Sequence, residues 1–210
     1  MPEIVRAWDA RADHYFALFR DELDGKPFDR DVLASFAERV GDGGRVCDVG
    51  CGPCAHVARL LAERGLDVLG IDVSPRCIEL ARREAPDCRF ELMDQRAIDA
   101  DAAGGPLDGI VSYYSLHDQP KTDLAATFAS WATALRRGGA LLAVAKEGDS
   151  EGIVSDPLGS GIPVYWAEFT AAELRAAAEA SGFRVDDVTT RAAYENEIQT
   201  RRIYLSATRG

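Results

Sequence analysis

The chain has 210 residues, 47% hydrophobic and 28% charged, which suits one well-buried domain of the larger kind. Its formal net charge of −11 comes without a basic stripe and disfavours a nucleic-acid ligand. No run of 18 apolar residues marks a membrane span, and residues 1–13 lack the basic-then-apolar layout of a secretory signal. A cytoplasmic protein is therefore expected, with its five cysteines as reduced thiols.

Trp8, Ala12, Tyr15, Phe16, Phe19 and Leu23 recur at three- and four-residue intervals and predict an amphipathic first helix, stopped by Gly25 and Pro27. Phe28, Val32, Leu33, Phe36 and Val40 predict a second, closed by the glycines at 41–44. From there strands and helices alternate. Strands are expected over 45–49, 66–71, 88–92, 107–114 and 140–145. Helices are expected over 54–64, from the Ser74 cap with Pro75 at its first position to Glu84, and over 121–136. Residues 148–163, rich in Gly, Ser and Pro, predict a long loop inside a lid over 146–168. Thr170 and Glu173 spell a capping box for a last helix to about Ala180. Two final strands, over 183–189 and 200–208, have no helix between them and should pair antiparallel. The alternation predicts a doubly wound, mostly parallel seven-stranded sheet with an antiparallel last strand and helices on both faces. A helical cap over 1–40 precedes it. Without a linker or internal repeat, residues 1–210 read as a single domain.

The chemistry centres on Val46-Cys47-Asp48-Val49-Gly50-Cys51-Gly52-Pro53-Cys54-Ala55, for which three readings compete. Cys51-Gly52-Pro53-Cys54 is the spacing of a redox dithiol, which would need a low-pKa thiolate at Cys51. Gly50, Gly52 and Ala55 also satisfy the dinucleotide pattern, with Asp72 at about the right distance for a ribose. A carboxylate at Asp48, however, would repel a pyrophosphate. The third reading uses every residue. Asp48-Val49-Gly50-Cys51-Gly52-Pro53 resembles motif I of the class I S-adenosylmethionine-dependent methyltransferases. That cofactor is positively charged at its sulfonium and ammonium groups, so a nearby acid attracts it. Glycines at 50 and 52 leave room for it against the backbone. Structural zinc at Cys51, Cys54 and His56 is disfavoured, because no second ligand pair exists.

The resemblance continues along the chain. Gly70-Ile71-Asp72-Val73-Ser74-Pro75 ends the second strand with an acid whose two oxygens can accept both ribose hydroxyls. Glu91-Leu92-Met93-Asp94-Gln95 closes the third strand, and the resemblance implies that Asp94 accepts from the adenine amino group. Tyr113-Tyr114-Ser115-Leu116-His117 stands where the family often has an aromatic residue followed by Leu-His. Arg136-Arg137-Gly138-Gly139-Ala140-Leu141-Leu142 resembles its turn before the fifth strand, and Gly25-Lys26-Pro27-Phe28-Asp29-Arg30 resembles the linker of a bacterial subgroup. A Rossmann-like fold is thereby implied, with S-adenosyl-L-methionine as cofactor, S-adenosyl-L-homocysteine as product and a small-molecule methyl acceptor.

The expected cofactor residues are Tyr15, Asp48, Gly50, Cys51, Gly52, Asp72, Val73, Asp94, Gln95 and Tyr113. Tyr15 is implied at the cofactor's carboxylate end, with plain packing as its alternative. His117 is the candidate general base, against a structural role shaping the pocket. Tyr165, Trp166 and Phe169 are candidates for an acceptor pocket or for anchoring the lid. Cys54 stands where the family has its last motif I glycine and is expected to crowd the methionine part of the cofactor. That departure keeps a cofactor-binding but catalytically weak interaction protein as the alternative function. The acceptor and the oligomeric state have no readable code.

Overall fold

The computed structural model describes residues 2–155 and 159–210. Helix α1 (Pro2–Phe19) lays Trp8, Ala12 and Phe16 against Cys77 and Leu80 of helix α4 (Pro75–Glu84). It ends before the apolar stripe does: Leu23 is buried from a separate 3-10 turn at Glu22–Gly25. Helix α2 (Pro27–Val40) follows, started by proline at its first position.

Seven strands form the main sheet in the order β3-β2-β1-β4-β5-β9-β8. They are β1 (Arg45–Val49), β2 (Asp67–Asp72), β3 (Arg89–Leu92), β4 (Leu107–Tyr113), β5 (Leu135–Lys146), β8 (Phe183–Arg191) and β9 (Arg202–Arg209). The first five are parallel, and β9 runs antiparallel between β5 and β8. Both predicted helix caps are present: Ser74 accepts from Cys77 N at 3.1 Å, and Thr170 and Glu173 form a reciprocal box on helix α6 (Ala171–Ala180). Helix α5 (Leu124–Ala134) stops two residues short of the expected 136, because Leu135 already pairs with Leu107. Helix α3 (His56–Ala62) is shorter than the expected 54–64, since residues 52–54 are a turn and Ala55 is left-handed at φ 48°.

The expected loop over 148–163 is corrected. Glu151–Val154 (β6) pairs antiparallel with Val164–Ala167 (β7), with Glu151 opposite Ala167 and Val154 opposite Val164. Exposure alternates along β6, as a strand requires. The segment's Gly and Ser content hid two short runs of β-branched and aromatic residues. Residues 156–158, also in that loop, lie outside the described residues. Backbone bonds from Gly148 N to Phe169 O and from Phe169 N to Lys146 O fasten the hairpin base to β5.

Apolar clusters cover both sheet faces. Phe128, Trp131, Leu174 and Phe183 fill one, and Leu33, Phe36, Leu61 and Ile78 the other. A polar tie crosses the second. Asp29, fully buried in the first turn of α2, accepts from Tyr113 Oη at 2.7 Å and Tyr204 Oη at 2.8 Å. Its other oxygen lies 2.9 Å from Arg191 Nη2. Arg191 also pairs with Glu197 at 2.6 Å, and Glu197 with Lys26 Nζ at 2.6 Å. One carboxylate thus joins the helical cap to β4, β8 and β9. Asp29→Ala removes one of Arg191's two carboxylate partners and leaves two buried phenols without an acceptor, and should lower unfolding free energy by about 2–4 kcal/mol. Urea denaturation measures this; a loss below about 1 kcal/mol would show the network to be ornamental.

Candidate active site

The order in which strands are added reverses at β1: β2 and β3 lie on one side, β4 and β5 on the other, all parallel. A crevice opens at the carboxyl ends of strands on either side of such a switch. Here that crevice is a cleft at the tips of β1 to β4, roofed by Ile4, Val5, Trp8 and Tyr15 of α1. All ten residues expected around a cofactor line it.

Their local roles differ. Gly50 (φ +70°) turns the chain off β1, where a Cβ would meet Ser115 Cβ at 2.3 Å. Gly52 (φ +62°) has nothing within 4 Å of its Cβ position, so open space lies over that part of the turn. Asp48 is 1% exposed, and among the described residues its Oδ2 has no hydrogen-bond partner. Burial, then the neighbouring Asp72, pushes its carboxyl up to about 7. Asp72 accepts from Gly52 N at 3.0 Å on Oδ2 and from Ser74 N at 2.9 Å on Oδ1. Burial raises it to about 6 against those bonds. Each of its oxygens keeps a further lone pair.

Asp94 is already engaged. Burial raises its pKa, but hydrogen bonds from Arg96, including Nη2 to Oδ2 at 2.8 Å, outweigh that and hold it below the usual carboxylate range. Gln95 spends its side-chain amide on Ser115, donating to the carbonyl at 3.1 Å and accepting from the hydroxyl at 3.0 Å. Tyr113 gives its hydroxyl to Asp29 and presents only its ring. Tyr15 packs edge to edge with Trp8 and Phe19 while lining the cleft. Val73 offers an apolar wall.

Cys51 and Cys54 are buried free thiols, both raised by burial, Cys54 to about 12. A dithiol catalyst needs the opposite shift. Cys54 has no positive φ, so a side chain there strains nothing in the backbone, and it faces the cleft. His56 is buried and lines the cleft, with Nε2 3.6 Å from Glu22.

His117 lies elsewhere. It lines a second cavity of about 570 Å³, which shares Trp8, Tyr15, Tyr114 and Asp118 with the cleft. Its Nδ1 is 2.6 Å from Ala167 O and its Nε2 accepts from Lys146 N at 3.2 Å. Burial, then Lys146, holds it well below the usual histidine range. Both ring nitrogens are thus engaged by backbone groups, an arrangement that suits the structural role shaping the pocket. Of the three aromatics after the predicted 148–163 loop, Trp166 lines the cavity, Tyr165 bonds Glu151 and Phe169 is core. Sequence reading missed Trp8, Ser115, Asp118 and Arg96 in the cleft and Lys146 and Arg202 in the cavity. Lys146 alone carried a legible signal, as the first charge after the apolar run of β5.

Residues 46–139 match the model of the methyltransferase domain family. Over that stretch the chain is similar to methyltransferase domains. Over 101 residues the chain is 40% identical to release factor glutamine methyltransferase of Rhodospirillum rubrum, covering 46% of this chain and 31% of that protein. Another match is 34% over 116 residues with magnesium-protoporphyrin O-methyltransferase of Rhodobacter capsulatus, 53% of this chain and 51% of the relative. The chain therefore spans about half or less of these curated relatives. Its fold is that of the Burkholderia thailandensis 1,6-didemethyltoxoflavin-N1-methyltransferase crystallised with its named substrate and S-adenosylhomocysteine. The TM-score is 0.71 at 20% identity, covering 99% of this chain and 89% of that one.

Because the folded Asp48 carboxyl is raised above its unfolded value, the native protein binds more protons than the unfolded chain between roughly pH 4 and 7. Its stability should fall as pH rises through that window and level off above it. Asp72 contributes in the same direction. Asp48→Asn should flatten the slope and raise the melting temperature at pH 8, measured by calorimetry; a pH dependence identical to wild type would show that Asp48 is ionised throughout.

Proposed function

We propose that the protein transfers a methyl group from S-adenosylmethionine to a small-molecule acceptor held in the adjoining cavity. The observation that carries this is the buried Asp48 carboxylate, with an unpartnered oxygen, beside a glycine turn that leaves open space. Four aspartates line the cleft, at 48, 72, 94 and 118, and its one arginine, Arg96, is spent on Asp94 and Asp123. Such a lining attracts a cationic nucleoside and repels a pyrophosphate, which separates this reading from dinucleotide binding.

The cofactor supplies an activated methyl group when bound. The chain's own residues orient and enclose. Asp72 has lone pairs for the ribose hydroxyls, and Val73 and Met93 flank the nucleoside end. Asp94, whose two oxygens already accept from Arg96, adds to the negative lining beside that end. Trp8, Tyr15 and Tyr114, shared by cleft and cavity, wall the junction where the two reactants meet and exclude water from it. His117 sets the cavity wall: its two backbone bonds fix the ring that stacks on Trp166 at 5.0 Å. No proton transfer is assigned to it. The relatives' names point to acceptors as unlike as a protein glutamine and a porphyrin, so the acceptor has to be read from this chain's own cavity.

Calorimetry tests the reading. Micromolar binding of S-adenosylmethionine and S-adenosylhomocysteine is expected, with none of NADH. The preference for the charged sulfonium should grow from pH 6 to 8 as Asp48 ionises, and Asp48→Asn should erase that growth. Engagement of NADH in place of both nucleosides would overturn the assignment. Cys54→Gly should tighten binding several-fold if the thiol crowds the cleft; an unchanged affinity removes crowding as a reason for weak activity. Release of S-adenosylhomocysteine in the presence of a metabolite extract separates the enzyme from a merely cofactor-binding protein.

A further inference from the structure

The 570 Å³ cavity falls within the about 300–1,000 Å³ range of sites for small organic ligands. Five aromatic rings line it: Trp8, Tyr15, Phe19, Tyr114 and Trp166. His117 stacks on Trp166 within 12° of parallel. The walls thus offer flat, partly preset ring faces, which favour a flat conjugated guest.

The charges are unequal. Arg11, Lys26, Lys146 and Arg202 line the cavity with Glu22, Asp118 and Glu197, so one cation is left over in a protein of formal charge −11. Arg11 pairs with Asp118 at 3.1 Å, Lys26 with Glu22 and Glu197, and Arg202 lies 3.6 Å from Glu197 while donating to the Ile198 and Thr200 carbonyls. Among the described residues, no carboxylate forms a salt bridge with Lys146. Its Nζ sits instead 4.1 Å from the Trp166 ring centroid and 5.1 Å from that of Tyr114. A quaternary ammonium acceptor would suit the aromatic walls, but the uncompensated ammonium of Lys146 repels it.

We propose that the cavity binds a flat aromatic carboxylic acid, with Lys146 as counter-ion of the carboxylate and Trp166 and Tyr114 against the ring. This rests on the methyl-transfer reading above. A carboxylate is anionic throughout the neutral range, whereas a phenol must first ionise, so the acid is the group that supplies the missing charge on arrival. Burial, then Arg202, lowers the Lys146 pKa to about 7, with Lys26 adding to that and Glu22 and Asp118 opposing it. An incoming anion reverses the loss and holds the ammonium charged. Lys146 is also the last residue of β5, and its backbone N–H is the group that fixes His117, so the charged head is mounted on the same element that sets the aromatic wall.

The test uses protein saturated with S-adenosylhomocysteine and titrates 3-hydroxy-2-naphthoate, its neutral 2-carboxamide analogue and 2-naphthylmethylammonium by calorimetry. The acid should bind at least tenfold more tightly than the amide and the ammonium hardly at all. Lys146→Met should erase the preference for acid over amide while leaving S-adenosylhomocysteine affinity unchanged, and Lys146→Arg should retain most of it. Equal binding of acid and amide, tighter binding of the ammonium, or no binding of the acid at millimolar concentration would overturn the proposal. If Lys146→Met does not fold, the three-ligand comparison on the wild-type protein still decides. Failure of S-adenosylhomocysteine itself to bind would instead count against the cofactor assignment.

Discussion

A carboxylate buried at the tip of β1 with one oxygen unpaired is an expensive group to keep, and the cleft is arranged around it. Water does not solvate Asp48, and Asp72 nearby makes its ionisation harder still. A cationic ligand relieves both penalties at once. The glycine turn that follows can approach such a ligand only because Gly50 and Gly52 adopt conformations closed to most side chains, and because Ser115 closes in behind Gly50. The reversal of strand order at β1, with β2 and β3 side by side and parallel, then brings Asp72 and Asp94 to neighbouring strand tips. Charge, turn and topology converge on one place.

The second cavity has the opposite electrical character. The cleft is lined by four aspartates, the cavity by an excess of one cation. Aromatic residues from α1 and β4 stand between the two, so a positively charged nucleoside and an anionic ligand would be drawn to adjacent compartments and meet at a shared wall. Each compartment selects its own guest by sign before shape is consulted. The buried Asp29 network supports this arrangement from behind, since it holds α2 and Tyr113 against β9 beside the mouth of both spaces.

Histidine and hairpin show where reading along the chain falls short. His117 had the position expected of a base, yet its protonation state depends on Ala167, fifty residues away, and on the backbone of Lys146. Neither partner is a side chain with a recognisable type, so no motif could announce them. The β6–β7 pairing was hidden for a related reason: each strand is four residues long, too short for a periodic signal to stand out from the surrounding glycines and serines. Lys146 shows the reverse. Its place at the end of an apolar strand was visible, but its lack of an ionic partner is a property of everything packed around it.

What the sequence determined by itself is the part governed by neighbours along the chain. Alternating apolar runs, capping residues at Ser74 and Thr170, and an acid followed by glycines at the end of β1 specify the order of elements and the cleft's inner lining, because helix caps and turn conformations are local constraints. Tertiary structure decided the rest. It chose which carboxylates are paired, which imidazole is neutral, and which of four cations in the cavity has no partner, because burial and charge pairing depend on distances between segments that lie far apart in the chain.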